Sequence, residues 1–208
     1  IFEEGECLIH HEQVILPNGN ILAICKDTII AEENIYFNED LVIDKIIEIA
    51  PLENNQANII WEWHFYDHLI QDYNSEIPNY GTIANNPQLF NINASNSLDD
   101  FTHLNCVDFN SELNQIVFSS RALNEVFIID HSTTTEEAKS HIGGIYDMGG
   151  DFLYRWGNPI NYNRGDSGDQ KLHAPHAANW INSDYPGGGN ILLFDNEYDD
   201  FISAIIEF

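Results

Sequence analysis

The chain has 208 residues, of which 43 % are hydrophobic and 12 % are aromatic, so it can build a buried core and is not expected to be disordered. Only 7 Lys and Arg residues stand against 34 Asp and Glu residues, and the formal net charge is −27. This charge excludes nucleic acid and anionic membrane surfaces as main partners, because both would be repelled. The sequence has no long apolar run, so no membrane insertion is predicted.

Residues 1–65 are predicted to form a first unit of four short strands. His11 opens the unit, and the PNGN sequence at 17–20 is a signal for a tight hairpin between its first two strands. A third strand is predicted over 40–49 and an aromatic fourth strand over 58–65, because both segments are short, apolar and bounded by turn residues.

The chain has three cysteines, Cys7, Cys25 and Cys106, and none of them belongs to a C-x-x-C metal motif. An odd number of cysteines cannot form a complete disulfide framework. Cys7 and Cys25 could pair with each other or remain free, and the sequence leaves both states open.

Residues 66–100 interrupt the strand pattern with a segment rich in Asn, Pro and Ser. A loop of this length in a compact domain is often a functional lid. It is equally compatible with a plain insertion between two sheets. One helical turn is predicted near 67–73.

Residues 101–158 repeat the order of the first unit. His103 leads two short strands, a third strand is predicted over 125–132, and an aromatic strand over 151–158 closes the unit. Between the last two strands, a short capped helix is predicted over 135–140, because a threonine is followed three residues later by glutamate.

Residues 159–175 form a predicted loop rich in Gly, Asn and Asp, and residues 176–208 begin a third unit, which His176 leads. Repetition of about four short strands in a fixed order is the sequence signature of β-propeller blades. The sequence therefore predicts an all-β fold, with residues 1–208 forming a partial β-propeller domain of roughly two and a half to three blades. Because a closed propeller needs at least about four blades, the remaining blades are expected outside this chain.

Three histidines share one place in the repeat, since His11, His103 and His176 each lead a unit. The innermost strands of a propeller surround one axis, so these imidazoles are expected to converge on a central pocket. Arg121 directly follows the second strand of its unit and would join them as an anion-binding group. Asn105 shares a strand face with His103 and is a candidate substrate contact. An imidazole is also a competent nucleophile toward a sulfur or phosphorus centre.

Four segments, at 10–20, 103–121, 149–159 and 176–196, resemble those of bacterial arylsulfotransferases, and the resemblance runs over nearly the whole chain. Its most specific parts are an H-x-N…S-S-R pattern that ends at Arg121 and an H-x5-P-N-G spacing in the first segment.

The resemblance implies a six-bladed propeller that is exported to the periplasm, the cell surface or the medium. It implies sulfuryl transfer from a phenolic sulfate donor to a phenol acceptor, with no nucleotide sulfate donor and no cofactor. It would make His176 the nucleophile that becomes a sulfohistidine. It would also make His11, His103 and Arg121 the groups that bind and polarise the sulfate oxygens, with one histidine carrying the phenol proton.

Two other functions remain open on the sequence: a non-catalytic extracellular propeller that binds sulfated or aromatic anions, and an exported scaffold that calcium stabilises. The Asp and Asn clusters at 163–169 and 195–200 offer the oxygen donors that calcium prefers, but they lack EF-hand spacing and are equally typical of solvated loops. His64 and His68 have the i, i+4 spacing of zinc ligands on a helix. The strand predicted at 61–65 would break that helical face and argues against such a site.

Overall fold

The protein is all-β, and in the part of the chain that the structure describes, successive segments form three antiparallel sheets in turn. The structure is a computed structural model that describes residues 7–95, 97–199 and 202–208. No helix within these ranges is long and apolar enough to cross a membrane.

The first sheet is a four-stranded meander in the order β1-β2-β3-β4. Side chains of its second strand alternate between two apolar clusters, as a period of two requires: Leu22 and Ile24 join the main core, whereas Ala23 and Cys25 join a smaller cluster on the other face. The third and fourth strands predicted for this unit are confirmed to within about two residues at each end. The strands are β1 Leu8–Ile15, β2 Ile21–Ile29, β3 Leu41–Pro51 and β4 Ala57–His64.

A disulfide joins Cys7, just before β1, to Cys25 on β2. The sequence left this pairing open, and the structure decides it. Cys106 remains a buried free thiol whose Sγ donates to the Ala178 carbonyl over 2.8 Å. Burial raises the pKa of the Cys106 thiol, so it is an inert core group rather than a nucleophile.

The second sheet repeats the meander in the order β10-β9-β8-β7. The aromatic strand predicted over 151–158 is much shorter, with only three residues. Gly157 at φ 131° ends it, and the Asn158 side chain then caps a 3₁₀ turn by accepting from the Ile160 amide. The strands are β7 Leu104–Asn110, β8 Gln115–Ser120, β9 Glu125–Asp130 and β10 Tyr154–Trp156.

The predicted short helix is confirmed as α1, Thr135–Ala138, which lies between β9 and β10. Thr134 and Glu137 form a reciprocal capping box at its N-terminus. The helix ends after one turn, two residues earlier than predicted.

The third sheet has the order β11-β12-β13 and packs against the second sheet. Cys106 and Val117 of the second sheet share an apolar cluster with Ala178 and Leu193 of the third. The strands are β11 Pro175–Trp180, β12 Ile191–Asp199 and β13 Ile202–Glu207.

The 66–100 segment is an insertion packed into the main core, which favours the plain insertion over a lid. Two short parallel strands, β5 Leu69–Ile70 and β6 Phe90–Asn91, pair within it. The side chains of Leu69 and Phe90 are fully buried. The helical turn predicted near 67–73 lies slightly earlier, as a 3₁₀ turn over Phe65–His68.

Candidate functional site

Each of the three sheets begins with an irregular first strand at its leading histidine. The ladder register shifts between His10 and Gln13 in β1, between Leu104 and Cys106 in β7, and between His176 and Asn179 in β11. Close to these shifts, left-handed backbone occurs at non-glycine residues, with φ 56° at His11, 45° at His103 and 53° at Ala177. Bulges of this kind re-aim side chains and are enriched near active sites.

The leading histidines of the first two sheets are in contact. The rings of His11 and His103 lie 5.3 Å apart between centroids, in an edge-on arrangement. His11 also lies beside His10, with the two Nδ1 atoms 2.6 Å apart. Burial lowers the pKa of His11, and the charges of His10, His103 and His176 lower it further. The rings of His10, His11 and His103 therefore form one cluster that joins the first two sheets, and the charge of His176 on the third sheet acts on His11.

A buried carboxylate, Asp44 on β3, underlies this cluster. It accepts hydrogen bonds from His10 Nε2 at 3.0 Å, Thr102 Oγ1 at 2.6 Å and the Leu104 amide at 2.7 Å. Lys26 Nζ lies 3.1 Å from it. Burial alone would raise the pKa of Asp44, but the bond with His10 and the charge of Lys26 outweigh burial and lower it. Asp44 therefore stays anionic and holds β1 against the start of β7.

A second carboxylate, Asp100, orients His103. Its Oδ2 makes a short hydrogen bond with His103 Nδ1, and its Oδ1 accepts from Lys26 Nζ over 2.6 Å. Burial would raise the pKa of Asp100, but the bonds with Lys26 and His103 outweigh burial and lower it. Because the anionic Asp100 carboxylate accepts a hydrogen bond from Nδ1, the single ring proton of a neutral His103 lies on Nδ1. Its Nε2 is then left as a hydrogen-bond acceptor.

His176 is anchored at one ring nitrogen. Its Nδ1 lies 3.0 Å from the Ala174 carbonyl and 2.6 Å from Nδ2 of Asn196 on β12. Asn196 Nδ2 also donates to the Ala174 carbonyl over 3.0 Å. Nδ1 of His176 can donate to the Ala174 carbonyl or accept from Asn196 Nδ2, and in the first of these tautomers Nε2 carries the lone pair that a nucleophile needs.

Arg121 directly follows β8 and is bonded to His103 through the backbone. Its backbone amide donates to the His103 carbonyl over 3.1 Å, and its guanidinium lies 3.7 Å from the Glu197 carboxylate. Both side chains are largely exposed, at 48 % and 68 %. An exposed pair of this kind is weak, so the guanidinium can exchange Glu197 for an incoming anion at little cost.

Asn105 is buried between the second and third sheets. Its Nδ2 donates to the Pro175 carbonyl over 2.8 Å, and its Oδ1 accepts from Ser119 Oγ over 2.6 Å. These bonds hold the start of β11, and with it His176, against β7. A contact of Asn105 with substrate stays a prediction.

The other candidate ligands are engaged elsewhere. His64 pairs with Asp27 at 2.7 Å at the end of β4, whereas His68 binds Asp151 at 2.8 Å, so the two histidines do not share ligands. In the 163–169 cluster, the Asp166 and Asp169 carboxylates accept from backbone amides of their own turn. Part of the 195–200 cluster lies outside the described residues.

Sequence reasoning missed the residues that support the histidines: Asp44, Lys26, Asp100 and Asn196. One signal was available for Asp44, because a carboxylate inside the apolar run of β3 must find partners when it is buried. Of the other three, Asp100 lies in a loop, whereas Lys26 on β2 and Asn196 on β12 lie in interior strands and no local pattern marks them.

The His11 ring is expected to titrate below the ordinary histidine value of about 6.5. The neighbouring imidazoles oppose its protonation, so His10→Gln should move the His11 midpoint upward. Because the folded pKa lies below the unfolded one, this contribution to stability is intact above about pH 6.5 and is lost as the pH falls through the folded pKa. An NMR titration of the histidine ring protons measures the His11 midpoint in wild type and in His10→Gln. A wild-type His11 midpoint at or above the ordinary histidine value would contradict this prediction.

Comparison with known proteins gives one positive result. A family model described as Arylsulfotransferase (ASST) matches residues 2–204 of the chain. No curated protein matches it.

Proposed function

The chain belongs to the arylsulfotransferase (ASST) family, and we propose that it transfers a sulfuryl group from a phenolic sulfate ester to a phenol acceptor through a covalent sulfohistidine. The observation that carries this proposal is the ring contact between His11 and His103 of two separate sheets, with the charge of His176 acting on His11 and the Arg121 amide bonded to the His103 carbonyl. We propose that the three sheets are blades of a β-propeller, with their first strands β1, β7 and β11 nearest its axis.

In the proposed first half-reaction, the Nε2 lone pair of His176 attacks the sulfur of the donor. The N–S bond forms while the S–O bond to the phenol breaks, and the phenolate leaves with the electron pair and takes a proton from a neighbouring imidazolium. In the second half-reaction, that imidazole removes the proton of the acceptor phenol as the phenol oxygen attacks sulfur. The N–S bond then breaks and His176 is regenerated.

The surrounding groups would stabilise the charge that develops on the sulfuryl oxygens. Arg121, His11 and the protonated form of His103, whose Nε2 then carries a proton, would supply donors that the fold has already positioned, so little reorganisation is needed during the reaction. The scheme uses only side chains of the chain, and it needs neither a nucleotide donor nor a cofactor.

We also propose that the protein works outside the cytoplasm, in the periplasm, at the cell surface or in the medium. The support is the Cys7–Cys25 disulfide, because disulfides persist mainly in oxidising compartments.

The direct test is to incubate the protein with 4-nitrophenyl sulfate and a phenol acceptor and to follow nitrophenolate release. We expect release that depends on the acceptor and shows ping-pong kinetics, with no requirement for a nucleotide sulfate donor. Binding of aryl sulfates without any release would refute the transferase and favour an anion-binding module. Failure to bind aryl sulfates at all would refute both functions.

A further inference from the structure

We propose that His68, His141 and Asp151 form a zinc-binding site. Both histidine Nδ1 atoms converge on one oxygen, Asp151 Oδ1, at 2.8 Å from His68 and 2.7 Å from His141. The three ligand atoms all lie within 4.8 Å of one another. Two imidazole nitrogens and one carboxylate oxygen are a donor set that Zn²⁺ binds in proteins.

The hydrogen bonds of His68 call for a cation between the three ligand atoms. His68 Nε2 lies 2.8 Å from the Ala138 carbonyl, an acceptor, so Nε2 must carry a proton. A neutral His68 ring then turns the Nδ1 lone pair toward a carboxylate oxygen. Two acceptors meet there, and only a proton or a metal ion can satisfy both. His141 brings a third donor atom to the same point, which suits a metal ion better than one proton.

The surroundings of His68 match those of a metal ligand. Metal-bound histidines usually donate their other ring proton to a carbonyl or carboxylate, as Nε2 does here to Ala138. The ring is fully buried and stacks on Trp63 with an interplanar angle of 4°. Trp63 in turn donates to the Gly150 carbonyl over 2.7 Å, next to Asp151. The first histidine and the carboxylate are therefore held rigidly before any ion binds.

His141 provides the adjustable third ligand. Its side chain is 49 % exposed, compared with 4 % for Asp151. Zinc–ligand bonds of about 2.0–2.1 Å place tetrahedral ligands about 3.4 Å apart, so each histidine Nδ1 must move roughly half an ångström farther from Asp151 Oδ1 to admit the ion. The exposed ring can make this movement, and water can take the fourth position.

The proposed ion would cross-link three separate stretches of the chain. His68 follows β4, His141 follows α1, and Asp151 precedes β10. Within the described residues, the hydrogen bonds and ring contacts of these three side chains do not reach His11, His103 or His176. The zinc site is thus proposed as a structural clip, and it does not depend on sulfuryl transfer.

The test compares zinc uptake by three metal-stripped proteins: wild type, His141→Gln and His64→Ala. Glutamine keeps a hydrogen-bond donor for Asp151 but is a poor zinc ligand, and the exposed position should tolerate it. His64→Ala is the matched control, because His64 also pairs with a carboxylate oxygen, at 2.7 Å from Asp27, and has a second carboxylate at 3.4 Å. Calorimetric titration with Zn²⁺ gives the number of ions that each protein binds. An ion bound by the histidine cluster would be counted in all three proteins and would not affect the difference between them.

We expect His141→Gln to bind one equivalent fewer than wild type and His64→Ala to bind as many as wild type. Zinc should also raise the melting temperature of wild type and of His64→Ala more than that of His141→Gln. Co²⁺ should give visible absorption in wild type that is diminished in His141→Gln. Equal zinc stoichiometry in wild type and His141→Gln, or an equal loss in His64→Ala, would overturn the site.

Discussion

Replacing His176 with alanine is expected to lower kcat/KM for 4-nitrophenyl sulfate by at least about 10³-fold, because the variant cannot form the covalent intermediate. The alanine side chain leaves no nitrogen to attack sulfur, while His11, His103 and Arg121 remain to bind the sulfate oxygens. The loss should therefore fall mainly on kcat rather than on donor affinity. Stopped-flow and steady-state measurements of nitrophenolate release separate the two quantities.

His64→Ala is a matched control for this variant, since it also removes a partly buried histidine and its hydrogen bond. His64 lies on β4, the strand of the first sheet farthest from β1, so His64→Ala should keep nearly all of the activity. A His176→Ala variant that releases nitrophenolate at the wild-type rate would show that another group is the nucleophile, although the family membership would be untouched.

Replacing Arg155 with methionine is expected to destabilise the fold by about 3–5 kcal/mol, the usual cost of breaking a buried ion pair from one side. The Arg155 side chain is 5 % exposed and Glu125 is fully buried. Arg155 Nε donates to Glu125 Oε1 over 2.9 Å, and its terminal NH2 group makes a short bond to the other carboxylate oxygen. Methionine keeps the apolar stem but leaves the Glu125 carboxylate without its counter-ion.

Arg155 also ties the insertion to the second sheet. Its guanidinium donates to the carbonyls of Pro87 and Leu89, at 3.3 Å and 3.0 Å. It lies 4.3 Å from the ring centroid of Tyr162 and 5.3 Å from that of Phe127. These cation–π contacts and carbonyl bonds vanish together in the variant, so the effect should approach the upper part of the range.

The loss of stability in Arg155→Met should be smaller at low pH. Burial raises the pKa of Glu125, and Arg155 opposes that rise. Without the guanidinium, the pKa of Glu125 in the folded state rises further above its value in the unfolded state. The folded protein then keeps a proton on Glu125 that the unfolded protein releases. A raised folded pKa favours folding at low pH and loses that advantage as the pH increases. The stability gap between wild type and variant should therefore narrow as the pH falls from about 7 toward about 5.

Urea unfolding at the two pH values measures this gap. Arg164→Met is the matched control, because Arg164 is exposed and donates to the Ala84 carbonyl over 2.7 Å without a buried counter-ion. Its loss should cost less than about 1 kcal/mol. A gap that is small at neutral pH, or that widens on acidification, would contradict the assigned role of Arg155.

The strand order and the short capped helix were predictable because their signals are local. Short apolar runs bounded by turn residues, the PNGN turn before β2 and the Thr134–Glu137 capping pair lie within a few neighbouring residues. The length of β10 was overestimated, since its aromatic residues suit a strand while Gly157 and Asn158 turn the chain away.

The repeat of leading histidines was also predictable from the sequence, but the hydrogen-bond partners of their rings were not. Asp44 lies 34 residues from His10, and Asn196 lies 20 residues from His176. The apolar run of β3 marks Asp44 as a carboxylate that needs partners, but nothing in the sequence identifies His10 as one of them or distinguishes Asn196 from the other amides of the chain.

The sequence by itself determined an all-β chain with a repeated unit, a histidine at the head of each unit and a resemblance to arylsulfotransferases, because these features depend on residue order alone. Only the tertiary structure decided that Cys7 pairs with Cys25, that Arg155 neutralises Glu125, and that His68 meets Asp151 from 83 residues away. Such contacts depend on how separate sheets and loops pack in space, and a hydrogen bond or ion pair forms only within a few ångströms.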